Sequence, residues 1–270
     1  RPSSITFDRA GNCFVANRSS GDISLLDKNL NFIINLEVDK LLHRPACIGI
    51  LNNVGRHYLV VIERINSEKS SISIYNILND KRSLSFVKKI KNLNINDAQD
   101  LIISRKSKLF IADTLNRRIL RVDIENESYN EVDLAKISSN SKILIKTISI
   151  NDNDEIFTAD FDNFRVYKFD EFLNFISEYD ISYLKTEHKV LRAIGFNGEK
   201  IFLCTRGKNQ VIFYESANKL GNKSNVQYIK ANWNHPVKIV SYKDCVYFAD
   251  KENDRIVMYN TSTKKTFSTQ

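Results

Sequence analysis

The chain has 270 residues, enough for one or two domains, and carries 40 Lys and Arg against 32 Asp and Glu, a formal charge of +8 at pH 7. No apolar run approaches the roughly 18 residues that a membrane-crossing helix needs. The four cysteines, Cys13, Cys47, Cys204 and Cys245, form no C-x-x-C pair and no Cys/His ligand spacing. A zinc knuckle is thereby excluded, and they read as small buried hydrophobes, with a disulfide between distant segments left open.

Taken in chain order, short apolar strands are expected at residues 2–7, 45–50, 98–103, 145–150, 191–196 and 236–241. Equivalent positions recur 43 to 53 residues apart, about the length that four short strands and their turns occupy. Each opening strand leads into a second. The clearest copies run from Leu109 through Ala112-Asp113 to Asn116-Arg117-Arg118-Ile119, from Ile156 through Ala159-Asp160 to Asn163-Phe164-Arg165-Val166, and from Val246 through Ala249-Asp250 to Asn253-Asp254-Arg255-Ile256. Third strands follow near 23–27, 72–77, 119–123 and 211–215, and less apolar fourth strands near 32–36, 84–87, 129–132, 226–229 and 266–268. Residues 132–138 and 170–176 read as short helical turns, and with only eight glycines the turns fall to Asn, Asp, Ser and Lys.

Inner strands covered on both faces read as continuous apolar runs, whereas an outer strand meets water and carries Ser, Asn and Lys. Six such sheets packed around an axis bury faces that one sheet cannot. The fold expected is therefore all-β, a six-bladed β-propeller with four antiparallel strands per blade, filling residues 1–270 as one domain. Each blade is expected to run in chain order from the axis outward. Because the last copy supplies its own outer strand, closure needs no N-terminal strand in the sixth blade.

The pattern resembles the NHL repeat family of six-bladed β-propellers over essentially the whole chain, most closely in the third, fourth and sixth copies. The first, second and fifth copies depart from it, with Asn17, Glu63 and Thr205 near the Asp position and Asp22, Ser71 and Gln210 in place of the Arg. Asp113, Asp160 and Asp250, with Arg118, Arg165 and Arg255, read as structural groups that satisfy turn donors and pack along the sheet; the rival is an acidic ring around a cation. The resemblance implies an interaction platform. Some NHL domains bind RNA, and similar propeller lyases and lactonases hold a metal in the channel.

In an up-and-down blade, the loops entering strand one and those joining strands two and three open on the same face. Entry loops carry Arg1, His43, Arg44, Asp97, His188 and His235, with Asp100, Lys146, Arg192 and Lys238 just inside; the other loops carry Arg18, Arg64, Arg117, Asp162, Arg206 and Lys208. Arg18, Arg64 and Arg206 each directly follow the repeat's Asp-equivalent position in the three copies that lost the Asp. An anion site at the channel mouth is therefore expected from Arg18, Arg64, Arg206, Arg44, Arg192 and Lys238, since Arg reads carboxylate and phosphate through paired donors. Ordinary surface charge on variable loops is the alternative. A second basic group, Lys81, Arg82, Lys88, Lys89 and Lys91, reads as a solvated outer edge that resists edge pairing.

No G-x-S-x-G, H-E-x-x-H, glycine-rich phosphate loop or Walker sequence occurs, so no catalytic residue and no cofactor are assigned. The expectation is a non-catalytic recognition module, monomeric and cut from a longer protein, because Arg1 already lies inside the first strand. Its partner is a protein or an anionic ligand such as an acidic or phosphorylated sugar. Two alternatives stand beside it: a metal-dependent lyase or lactonase using His43, His188 and His235, and an RNA-binding domain. No metal is expected, because neighbouring Arg and Lys disfavour a cation there. The cellular compartment is not readable from these residues.

Overall fold

The computed structural model describes residues 1–38, 42–53, 56–66, 69–78, 82–90, 93–137 and 143–269. Six sheets follow one another along the chain. The first blade is β1 (Pro2–Phe7), β2 (Cys13–Asn17), β3 (Asp22–Leu26) and β4 (Phe32–Asn35). A two-residue strand, β5 (Glu37–Val38), then joins the second blade, β6 (Pro45–Asn53), β7 (Arg56–Arg64), β8 (Ser70–Ile77) and β9 (Ser83–Ile90), by pairing parallel to β9. The third is β10 (Ala98–Ile103) to β13 (Ser128–Asp133), through β11 (Lys108–Asp113) and β12 (Arg118–Asp123). The fourth is β14 (Ile145–Ile150), β15 (Ile156–Asp160), β16 (Arg165–Phe169) and β17 (Phe175–Asp180). The fifth is β18 (Leu191–Asn197), β19 (Lys200–Thr205), β20 (Gln210–Tyr214) and β21 (Gln227–Ile229), and the sixth is β22 (Pro236–Tyr242), β23 (Cys245–Asp250), β24 (Arg255–Asn260) and β25 (Thr266–Ser268).

Within each blade the strands are hydrogen-bonded in sequence order and antiparallel, apart from the added β5. First strands touch those of the next blade all the way round, the sixth against the first, so the molecule is a closed six-bladed propeller. The first and last segments share no sheet, as the sequence suggested. Burial follows the expected gradient: β11 and β15 are almost wholly buried, while β25 is exposed throughout. The extra strand β5 has no counterpart in the repeat, because a two-residue pairing leaves no periodic signature.

Asp and Asn form the turns. Asp27 Oδ1 accepts from Asn29 N and Asn31 N at 2.8 Å each, and Asp170 Oδ1 accepts from Phe172 N at 2.9 Å and Asn174 N at 2.8 Å. The second of these corrects the helical turn expected over residues 170–176: a tight turn leads directly into β17. The other turn is present as a 3₁₀ segment at Leu134–Lys136, capped by Asp133; Ser138, at the end of the expected stretch, lies outside the described residues. A short helix, α1 (Lys185–His188), stands before β18 without a sequence signal of its own.

The motif carboxylates sit at the crossing between blades. Asp113 is fully buried and accepts from Asn96 N at 2.7 Å, Asn116 Nδ2 at 2.8 Å and Arg118 Nε at 2.7 Å. Asp250 repeats this with Asn234 N at 2.7 Å, Asn253 Nδ2 at 2.7 Å and Arg255 Nε at 2.8 Å. In the second blade Glu63 does the same work, accepting from His43 N at 2.9 Å. In the fourth, Asp160 accepts from Asn163 Nδ2 at 2.7 Å, but Arg165 turns outward to Glu178 and Asp180. Each acid satisfies a backbone or amide donor in the loops beside the first strand, which would otherwise be a costly buried orphan.

Candidate functional site

One irregularity occurs in every blade and decides which side chains reach the axis. The pairing of the first strand with the second shifts register between Pro2 and Ser4, Pro45 and Cys47, Ala98 and Asp100, Ile145 and Ile148, Leu191 and Ala193, and Pro236 and Lys238. A bulge leaves a residue unpaired and re-aims its side chain. The residues released are Ser3, Ala46, Gln99, Lys146, Arg192 and Val237, and all six line a cavity of about 140 Å³ at one end of the channel. Arg18, His235 and Lys251 complete its wall.

The residue one step further along each strand faces inward. Ser4, Cys47, Asp100, Thr147, Ala193 and Lys238 are all buried. Three of these side chains accept from the backbone of the following blade: Ser4 Oγ from Ile48 N at 3.2 Å, Asp100 Oδ2 from Ile148 N at 3.1 Å and Thr147 Oγ1 from Ile194 N at 3.0 Å. Lys238 Nζ, from the sixth blade, pairs with Asp100 of the third, directly across the ring. Below this brace lies a full ring of buried aliphatic residues, Ile5, Ile48, Leu101, Ile148, Ile194 and Ile239. The cavity of about 510 Å³ at the opposite end is lined by five of these, all but Ile194, and by Lys238, and its rim pairs Arg105 with Asp152 at 2.5 Å.

The mouth is crowded with positive charge. Burial pushes Arg192 down to about 10, with Arg206 adding to the effect, and burial likewise takes Arg64 to about 10, with Arg18 adding. Lys146 is lowered by burial and by Arg192, and Arg18 by burial and by Arg44. Lys251 is also lowered by burial, and Arg18 and Arg192 push it further, against Glu252. The same field, after burial, holds His235 down at about 4, so the imidazole is neutral at pH 7. Among the described residues, no carboxylate lies within salt-bridge distance of Arg18, Lys146, Arg192, Arg206 or Lys251. Phe161 holds two of them together: Lys146 Nζ lies 3.9 Å and the Arg192 guanidinium 4.8 Å from its ring centre.

Of the six expected site residues, Arg18 and Arg192 line the cavity, and the exposed Arg206 and Arg44 reach it only through their charge on Arg192, Lys146, His235 and Arg18. Arg64 belongs to the same group, yet it forms an ion pair with Asp97. Lys238 stands elsewhere, buried against Asp100 beneath the mouth. The three histidines separate as well. His235 lines the cavity, His43 is exposed, and His188 is buried with Nδ1 3.1 Å from Thr205 Oγ1. Among the described residues no three His, Cys, Asp or Glu side chains gather in a way that holds a metal ion.

Other flagged groups are occupied or exposed. Lys208 pairs with Glu187 at 3.0 Å, Arg1 with Glu252 at 2.9 Å, and Asp162 is exposed. In the outer basic group Lys88 pairs with Glu127 at 2.8 Å and Lys89 is exposed, while Lys81 and Lys91 lie outside the described residues. Cys13, Cys47 and Cys204 are buried free thiols and Cys245 is half-buried. Two contributors escaped the sequence argument. Lys251 follows Asp250 as Arg18 follows Asn17, the signal already used for the arginines, and Phe161 occupies the same place after Asp160.

No family model and no curated protein sequence matches the chain. Solved structures match its fold. Virginiamycin B lyase from Staphylococcus aureus is 12% identical with a TM-score of 0.65, over 99% of this chain and 83% of that one. The periplasmic gluconolactonase of Pseudomonas aeruginosa is 15% identical with a TM-score of 0.64, over 100% and 84%. A chain of a nidogen/laminin complex is 10% identical with a TM-score of 0.68, over 95% and 92%. At these identities the likeness is one of fold, and this fold carries enzymes and binding proteins alike.

Proposed function

We propose that this chain is an NHL-like recognition propeller whose channel-mouth face binds an anionic partner, a protein segment or an acidic ligand, without catalysing a reaction. The observation that carries this reading is the convergence of Arg18, Lys146, Arg192, Arg206 and Lys251 on one face with no bonded carboxylate among the described residues. Like charges held together in a half-buried site cost free energy, and a bound anion recovers it. The Asp100–Lys238 brace gives that face a floor, which favours capture over passage. A metal-centred enzyme would need His43, His188 and His235 around one ion, and their separate positions give it no support.

The test is binding of poly-L-glutamate to the wild type and to the triple variant Arg18→Ala/Arg206→Ala/Lys251→Ala. Arg64 is left intact because its removal would take the cation from Asp97, whose side chain is only 15% exposed and would keep just the Gln99 amide among the described residues. The wild type is expected to bind, more weakly as salt rises, and the variant to lose at least about tenfold in affinity. Its melting temperature should stay within a few degrees, since these side chains make no ion pair among the described residues. Equal binding by the variant would refute the proposal.

A further inference from the structure

The geometry points to a more specific ligand: we infer that the cavity is built for a single phosphate group, presented as a phosphomonoester or as inorganic phosphate. This rests on the anion-binding reading above and narrows it. Size restricts the ligand. A cavity of about 140 Å³ is well below the roughly 300 Å³ at which drug-sized pockets begin. It admits one compact headgroup and leaves the rest of a ligand outside.

Direction restricts it further. Donors come from four blades around the ring: Arg18 from the first, Lys146 from the fourth, Arg192 from the fifth, and Lys251 with His235 from the sixth. A carboxylate offers two oxygens in one plane and suits a single guanidinium fork, whereas a tetrahedral oxyanion offers oxygens in several directions. Unmet bonding points the same way. Arg192 Nε and His235 Nε2 are buried without a hydrogen-bond partner, which is costly unless a ligand supplies one. Phe161 keeps Lys146 and Arg192 beside each other against their repulsion, so the pair is organised before anything binds. Phe161 is a positioning residue.

Calorimetric titration of the whole chain with inorganic phosphate, with a phosphoserine peptide and with the same peptide unphosphorylated tests this. One-to-one binding of phosphate and of the phosphorylated peptide only is expected. A tighter phosphopeptide marks a modified segment as the source, and equal affinities mark a small phosphate. Arg192→Ala and Lys251→Ala should each weaken binding about tenfold or more. Phe161→Leu, which keeps bulk without the π face, should weaken it roughly three- to tenfold, and Phe161→Tyr should retain it. Lys243→Ala, on the opposite cavity, should change nothing. If poly-L-glutamate binds but neither phosphate probe does, the phosphate assignment fails while the anion-binding face stands. If no anion binds, both fail. Phosphate binding that survives Arg192→Ala and Lys251→Ala unchanged would also overturn the assignment, because the site would lie elsewhere.

Discussion

Removing one end of the transaxial brace should be among the most damaging single changes available in this molecule. Lys238 and Asp100 side chains are 7% and 5% exposed, and the carboxylate also accepts from Leu101 N at 2.9 Å, Ile148 N at 3.1 Å and Thr147 Oγ1 at 3.3 Å. Among the described residues the ammonium has only the Leu101 carbonyl at 3.4 Å besides its partner. Asp100→Asn therefore leaves a buried cation almost unsupported, whereas Lys238→Met leaves a carboxylate still held by three donors. Breaking a buried pair from one side costs about 3–5 kcal/mol, and Asp100→Asn should fall at the upper end and Lys238→Met at the lower. At roughly 2–4 °C per kcal/mol for a domain of this class, the melting temperature should drop by roughly 6–20 °C. The double variant removes both charges and should recover most of the loss, giving a large favourable coupling in a double-mutant cycle. Denaturant unfolding and scanning calorimetry of the four proteins measure this. Additive effects, or single-variant losses below about 1 kcal/mol, would refute a buried ion pair across the axis.

Other changes test neighbouring parts of the structure. Asp250→Ala strands Asn234 N and Arg255 Nε and leaves Asn253 Nδ2 only its bond to Asn232 O, and it should cost about 3–5 kcal/mol in denaturant unfolding. A Cβ on Gly207 would stand 2.6 Å from the His188 carbonyl carbon, so Gly207→Ala should lower stability by about 1–3 kcal/mol in the same assay. His235 is held at about 4, below its ordinary value of 6.5, so the unfolded chain binds its proton first. Its contribution is complete above about 6.5 and is lost as pH falls towards 4; His235→Gln should flatten the stability–pH curve in that window, and an unchanged slope would contradict a half-buried neutral imidazole.

Much of the architecture was legible because the repeat imposes it. Blade starts at residues 2, 45, 98, 145, 191 and 236 coincide with β1, β6, β10, β14, β18 and β22, and each Ala-Asp pair ends a second strand. The candidate site was legible only in part. Arg18, Arg64 and Arg206 were found through their shared place after the repeat's acid position, and Lys251 obeys the same rule. Arg192 was named as well, but the bulge hid the part of Lys146 and the separate place of Lys238. Strand alternation has period two, and an unpaired residue shifts that phase without any mark in composition. Lys146 and Arg192 stand on the released step and Lys238 and Asp100 on the next, so four residues that look alike in sequence divide between cavity wall and brace. Phe161 was missed because an aromatic residue beside a strand end reads as core.

The first and sixth blades meet without exchanging a strand, each being complete within its own stretch of chain. Their junction is held by side chains such as Ile5, Cys13, Val15, Tyr247 and Ala249, with Phe7 stacked on Tyr242 at 5.2 Å. The ring is thus a split washer whose gap is glued and not stitched. Every blade is an uninterrupted cassette, so a circular permutant cut at any of the four crossings from the second blade to the sixth would rebuild all six sheets from contiguous sequence. The same gap is where the ring should first part under tension, which makes grease, more than backbone bonding, the fastener of the circle.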